Sequence, residues 1–162
     1  ACLAQLVNAI GPIMTETGGP AWRQTIFHPF ALASSYGRGD VLRLRVETDS
    51  FAAGSHEAAP MLVASAVYDG TTGAATIFAL NRSIDQPMEL IVELRGMGPR
   101  RIDEAHELHH DDLKAVNTTE SPDAVAPVRH ECVSVEDGIL KAVLKPLSWN
   151  VFATGATVES TN

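Results

Sequence analysis

From Val41 onward the chain is built of short segments whose side chains alternate in character, separated by turn-forming residues. In Val41–Glu47, Leu42, Leu44 and Val46 oppose Arg43, Arg45 and Glu47. In Pro87–Arg95, Met88, Leu90, Val92 and Leu94 oppose Glu89, Ile91, Glu93 and Arg95. A period of two places alternate residues on opposite faces of a strand, so these segments predict strands with one wet face. Met61–Tyr68 and Ala74–Asn81 are nearly continuous apolar runs joined by Asp69-Gly70-Thr71-Thr72-Gly73, which predicts a hairpin. Further strands are expected at Arg101–Glu107, Leu113–Asn117, Cys132–Glu136, Leu140–Lys145 and Ser148–Thr154, with a turn at Asp137-Gly138. Glu120–Pro127, with two prolines, reads as a loop. Strands at this spacing predict a mainly β fold, an antiparallel β-sandwich or jelly roll.

The first 40 residues have a different rhythm. Leu3, Leu6, Val7 and Ile10 are spaced as on a helix, and Cys2–Ile10 is expected to be the tail of one. Thr15–Pro20 reads as a loop. Pro29–Tyr36 reads as a helix with Pro29 in its first turn and Gly37 past its end. Charge separates the two regions. The chain carries 20 acids and 12 bases, a net charge of -8, yet Ala1–Asp40 contributes only Glu16 and Asp40 against Arg23 and Arg38. A boundary is therefore placed at Gly37–Asp40, dividing residues 1–40 from residues 41–162. The first part is too small to be a domain of its own.

Several functions are disfavoured. A nucleic-acid binder neutralises phosphates with basic residues, and this chain is acidic. No apolar run approaches the roughly 20 residues that span a bilayer. Ala1–Ile10 lacks the basic start and long apolar core of a signal peptide. The initial Ala in place of Met hints at something upstream. Cys2 and Cys132 form neither a redox motif nor a zinc-ligand spacing, and read as two reduced, buried or semi-buried thiols of a cytoplasmic protein. At 162 residues the chain needs no disulfide or metal to fold.

Three stretches carry side chains capable of chemistry. Gly18-Gly19-Pro20-Ala21-Trp22-Arg23-Gln24-Thr25 sets an aromatic, a guanidinium and an amide beside glycines, a set suited to a polar uncharged ligand. The alternative is a loop in which Trp22 caps a core and Arg23 and Gln24 satisfy backbone carbonyls. His106-Glu107-Leu108-His109-His110-Asp111-Asp112 has the residue types of a metal site but no established ligand spacing, and reads as a solvent-facing strand end. Trp149 shares a strand face with Val151 and Ala153 and reads as core. Glycoside hydrolysis requires two carboxyls across one bond, and the first 39 residues offer Glu16 alone. No nucleophile elbow, phosphate loop or dinucleotide fingerprint is present.

Asn8-Ala9-Ile10-Gly11-Pro12-Ile13-Met14-Thr15, then Gly18–Thr25 with Ile26-Phe27-His28-Pro29-Phe30, resembles the end of the catalytic barrel of the family 51 α-L-arabinofuranosidases. Tyr36-Gly37-Arg38-Gly39, Ala79-Leu80-Asn81-Arg82 and Leu147-Ser148-Trp149-Asn150-Val151 resemble that family's C-terminal β-domain. The resemblance implies a sandwich preceded by a short remnant of a (β/α)8 barrel, comprising one strand and one or two helices. Ile10–Met14 would be the last barrel strand. Gln24 would bind arabinose through hydrogen bonds, beside Trp22. His28 stands where the family suggests a tyrosine. The parent would be a retaining glycosidase acting on arabinan- or arabinoxylan-type saccharides, without metal or cofactor. Both catalytic Glu residues would lie upstream, so the chain alone would be inactive and contribute no catalytic residue.

The sandwich would brace the barrel and support a homo-oligomer, and could borrow a strand from the parent's N-terminal end. Residues of Cys2–Tyr36 would be rearranged or packed on a neighbouring chain. The rival readings are a stand-alone carbohydrate-binding sandwich and a purely structural domain.

Overall fold

Asp69 shows how directly the local sequence sets the first hairpin. Its carboxylate accepts from Thr71 N at 2.8 Å and from Thr72 Oγ1 at 2.8 Å, and its carbonyl accepts from Gly73 N. These bonds hold the carboxyl below its usual range, the Thr72 hydroxyl contributing most. Gly73 takes φ 72°, which returns the chain antiparallel to itself. Asp137 (φ 49°) and Gly138 (φ 73°) close a second hairpin in two residues. Positive φ at both central positions matches the right-handed twist of the flanking strands.

The computed structural model describes residues 2–157. In chain order its elements are β1 (Ile13–Thr15), β2 (Ala21–Arg23), α1 (Phe27–Tyr36), β3 (Asp40–Val41), β4 (Ser50–Ala53), β5 (His56–Pro60), β6 (Leu62–Tyr68) and β7 (Ala75–Asn81). There follow β8 (Met88–Glu93), β9 (Arg100–Leu108), β10 (Val128–Arg129), β11 (Val133–Glu136), β12 (Ile139–Leu144) and β13 (Ser148–Ala156). A six-stranded antiparallel sheet, β10-β9-β13-β7-β6-β3, faces a three-stranded sheet, β11-β12-β8. The expected antiparallel sandwich is therefore present. Leu62, Ala66, Ile77, Ala79, Ala105 and Phe152 of the larger sheet meet Leu90, Leu140, Ala142 and Leu144 of the smaller. The registers Leu90↔Ala142 and Phe152↔Ile77 place these residues on the facing surfaces.

Buried polar side chains fasten both ends of the sandwich. At one end Asn81 Nδ2 lies 2.9 Å from Lys145 O, 3.1 Å from Gln86 O and 3.2 Å from Leu144 O, while its Oδ1 accepts from Ser83 N. At the other, Arg100 donates to Thr154 Oγ1, Thr154 O, Met97 O and Gly73 O, joining two turns to β13.

Several expected elements differ. Cys2–Ile10 is not helical: Asn8 and Ala9 take φ 58° and 47°, and Val7 bridges Ile13. So short a segment needs tertiary cover to hold a helix, and Leu6 and Ile10 are 63% and 72% exposed. The expected strand at Val41–Glu47 ends at Val41. Leu42 N still bonds Ala66 O, but Arg43–Glu47 then crosses beside β8 without joining its sheet. Leu62, Ala64, Ile77, Leu90 and Val92 line the cleft between that strap and β8. Alternation makes a strand only where a ladder forms, and the cleft holds this strap off the free edge of β8.

Leu113–Asn117 is also irregular, because Asp112 captures Lys114 N through its carboxylate and Ala115 N through its carbonyl. The β4–β5 hairpin, turning at Gly54 (φ 57°), was not foreseen. Its small residues do not alternate. Cys2 and Cys132, expected to be buried or semi-buried, are both exposed, Cys2 on the uncovered N-terminal segment and Cys132 just before β11.

Replacing Asn81 by Ala removes the donor to three carbonyls and the acceptor of Ser83 N around a side chain with no solvent exposure, although Lys145 O keeps the Ser148 hydroxyl. We expect Asn81→Ala to cost about 3 kcal/mol in a urea unfolding experiment. A cost below about 1 kcal/mol contradicts this account of the fastening.

Candidate functional site

β1 and β2 form a small hairpin with Ile13↔Arg23, Met14↔Trp22 and Thr15↔Ala21 in register. The loop between them closes through Gly19 N to Glu16 O, with Gly18 at φ 68°. Asn8 clamps the far side of β1 by accepting from Thr15 N at 2.7 Å. Beyond β2, Gln24 N donates to Pro12 O at 2.8 Å and Gln24 O accepts from Phe27 N, which opens α1.

The sandwich holds this hairpin from outside. Trp22 Nε1 donates to Asn117 O at 3.0 Å, and Asn117 Nδ2 donates to Arg23 O at 2.9 Å. Thr119 Oγ1 donates to Glu16 Oε1 at 3.0 Å. Trp22 and Gln24 are both half-buried. The indole N–H is thus taken by the protein, whereas no hydrogen bond engages the Gln24 side chain among the described residues. Arg23 lies over the Phe27 ring at 5.6 Å.

Asn117 was not foreseen as part of this site. It stood at the end of an expected strand, and its role arises from contacts with residues more than ninety positions away. Only knowledge of the loop's path would have revealed it.

The histidine cluster disperses at the end of β9, but it does not face solvent as expected: Glu107 is buried and His106, His109 and His110 are half-buried. His106 Nε2 lies 3.2 Å from Tyr36 OH and 3.6 Å from Glu104 Oε2. His109 faces Asp111, while His110 Nδ1 accepts from Asp112 N. No group of three or more metal-ligating side chains is suitably placed among the described residues. Tyr36 ionises above its usual range, first because it is partly buried and then because Glu104 is near. Trp149 stacks on Phe78 at 5.9 Å, on the outer face of the larger sheet where α1 packs.

The family model for the α-L-arabinofuranosidase C-terminal domain matches residues 1–148. The chain belongs to this family. An intracellular exo-α-(1→5)-L-arabinofuranosidase of Streptomyces lividans is 47% identical over 93% of the chain, which spans 22% of that relative. One from Bacillus subtilis is 44% identical, with 93% of the chain aligned to 30% of the relative. The solved structure of a family 51 α-L-arabinofuranosidase from Bifidobacterium longum superposes with a TM-score of 0.87 at 35% identity. That match covers 93% of this chain and 29% of that one. The chain of this arabinofuranosidase family thus spans less than a third of the length of each of these relatives.

His28, on α1 next to this hairpin, is buried, and its Nε2 has no partner among the described residues. Burial first, and then the Arg23 guanidinium, hold its pKa below 6.5, with Asp123 opposing. His130, buried against Phe152, is lowered mainly by burial as well. Both rings stay neutral in the folded chain where they would protonate once unfolded. Stability is therefore fully present above pH 6.5 and falls as the pH drops below it. Urea unfolding at a series of pH values should show this loss, and His130→Phe should flatten the slope. An unchanged slope in that variant contradicts the assignment.

Proposed function

We propose that this chain is the C-terminal part of an α-L-arabinofuranosidase, with residues 1–40 the end of the catalytic barrel and residues 41–162 the sandwich bound to it. The observation that carries the reading is the β1–β2 hairpin, in which Gln24 has a free amide beside an anchored Trp22. Trp22 and Gln24 are the substrate-binding residues of this proposal. Gln24 hydrogen-bonds the hydroxyls of the terminal sugar, and the Trp22 ring borders it.

The parent acts on terminal arabinofuranosyl groups of arabinan- or arabinoxylan-type saccharides inside the cell. The named activity and location of the curated relatives support this. Its mechanism is a retaining double displacement between two upstream carboxyls, one protonating the leaving oxygen and the other attacking the anomeric carbon. Glu16 is the one carboxylate of the hairpin, and its bond to Thr119 gives it a structural task. The chain alone is thus inactive and supplies substrate contacts only, with no metal or organic cofactor in the scheme.

The sandwich braces the barrel and supports a homo-oligomer. Leu6, Val7, Ile10, Ile26 and Phe30 are exposed on the barrel-derived part, as expected of a surface that the rest of a barrel covers. The cleft beside β8 offers unpaired strand edges to an upstream segment.

An aryl α-L-arabinofuranoside tests the proposal. The full-length gene product should release the aryl alcohol with retained anomeric configuration, and residues 1–162 alone should give no turnover above background. Turnover by the clean short chain refutes the inactivity, and none by the full-length product refutes the activity.

A further inference from the structure

Asn117 belongs to the sandwich by sequence and to the hairpin by contact. It is 2% exposed, and its side chain is fully engaged. Its Nδ2 donates to Arg23 O at 2.9 Å and Val125 O at 3.0 Å, and its Oδ1 accepts from Val125 N at 2.7 Å. Its own carbonyl receives the Trp22 indole. Val125 is itself buried, which fixes the far side of the amide.

Arg23 O and Gln24 N are two atoms of one peptide plane. Asn117 holds the oxygen, and Pro12 O holds the N–H at 2.8 Å. A planar unit gripped at both ends cannot rotate, so the direction in which Gln24 leaves the backbone is set. The same loop fixes Trp22 one residue before Arg23. We infer that Asn117 is a positioning residue for the saccharide site, through which the sandwich orients Gln24 toward the sugar. The inference rests on the proposal that Gln24 binds substrate, and extends it. The sandwich then shapes the binding site as well as bracing the barrel. Misplacing a substrate contact by about 1 Å can cost roughly a hundredfold in rate.

The test uses the full-length enzyme and an aryl α-L-arabinofuranoside. Asn117→Ala should lower kcat/KM by about 10- to 100-fold, while Val116→Ala, an exposed neighbour, leaves it unchanged. In a Gln24→Ala background, Asn117→Ala should cost little more, because its effect passes through Gln24. Costs that multiply in full, or an Asn117→Ala enzyme with unaltered kcat/KM, overturn the inference. If Gln24→Ala by itself leaves kcat/KM unaltered, the underlying substrate assignment fails instead, and the inference with it. Asn117→Asp keeps the oxygen that accepts from Val125 and loses the donor to Arg23. It should reproduce the same pattern if the alanine variant does not fold.

Discussion

Two-sided burial of β13 is the constraint on which the rest of the structure depends. Its inner face carries Ser148, Asn150, Phe152 and Thr154, and its outer face carries Trp149, Val151 and Ala153. Phe152 and Val151 are adjacent and point opposite ways, yet neither has any solvent exposure. A sandwich alone buries one face of each strand. The second face needs another layer, and α1 provides that layer. Tyr36 packs on His106 at 5.6 Å between ring centroids, and His106 lies directly across from Val151. The division of the sequence near Gly37–Asp40 is therefore real in composition but bridged in space.

Placing polar side chains inside such a fold is costly unless their hydrogen bonds are satisfied. Asn81 and Arg100 satisfy theirs mainly with backbone carbonyls of turns, where a sheet leaves acceptors over. Each ties turns to a central strand at one end of the sandwich. Lys145 and Glu107 add an ion pair at 2.6 Å, with the carboxylate buried and the ammonium half exposed. The Glu107 contact raises the Lys145 pKa. Asn117 follows the same logic. A buried amide fills the acceptors of an irregular loop and, in doing so, grips a second segment.

Sequence reasoning recovered the elements whose determinants are local. The Asp69–Gly73 and Asp137-Gly138 turns have their chemistry within five residues. β6, β7, β8, β9, β12 and β13 all appear close to their expected places, because inner-face apolar residues at period two suit one register. Reading failed where the outcome depends on a neighbour. Val41–Glu47 alternates as cleanly as β8 but beyond its first residues is held off the free edge of β8 by the cleft between them. Cys2–Ile10 has helical spacing but no surface on which to lay its apolar side. At the candidate site, Trp22 was legible as a residue type and its anchoring was not, since the partner lies 95 positions away.

The segregation of charge follows from the same geometry. Residues that a protein covers on both sides cannot carry many unpaired ions, because each loses its hydration. The first 40 residues carry two acids and two bases and are mostly exposed in this chain, so the demand applies to them only under the barrel reading proposed above. Arg23 lies over the Phe27 ring while its carbonyl takes the Asn117 amide, and the residue stays exposed. The acids gather on the sandwich, at outward positions such as Glu89 and Glu93 of β8, where hydration is kept. A nearly neutral, partly apolar segment thus lies beside a strongly acidic one. The hairpin bearing Trp22 and Gln24 sits on the first of these. Its grip by Asn117 ties it to a loop anchored in the sandwich.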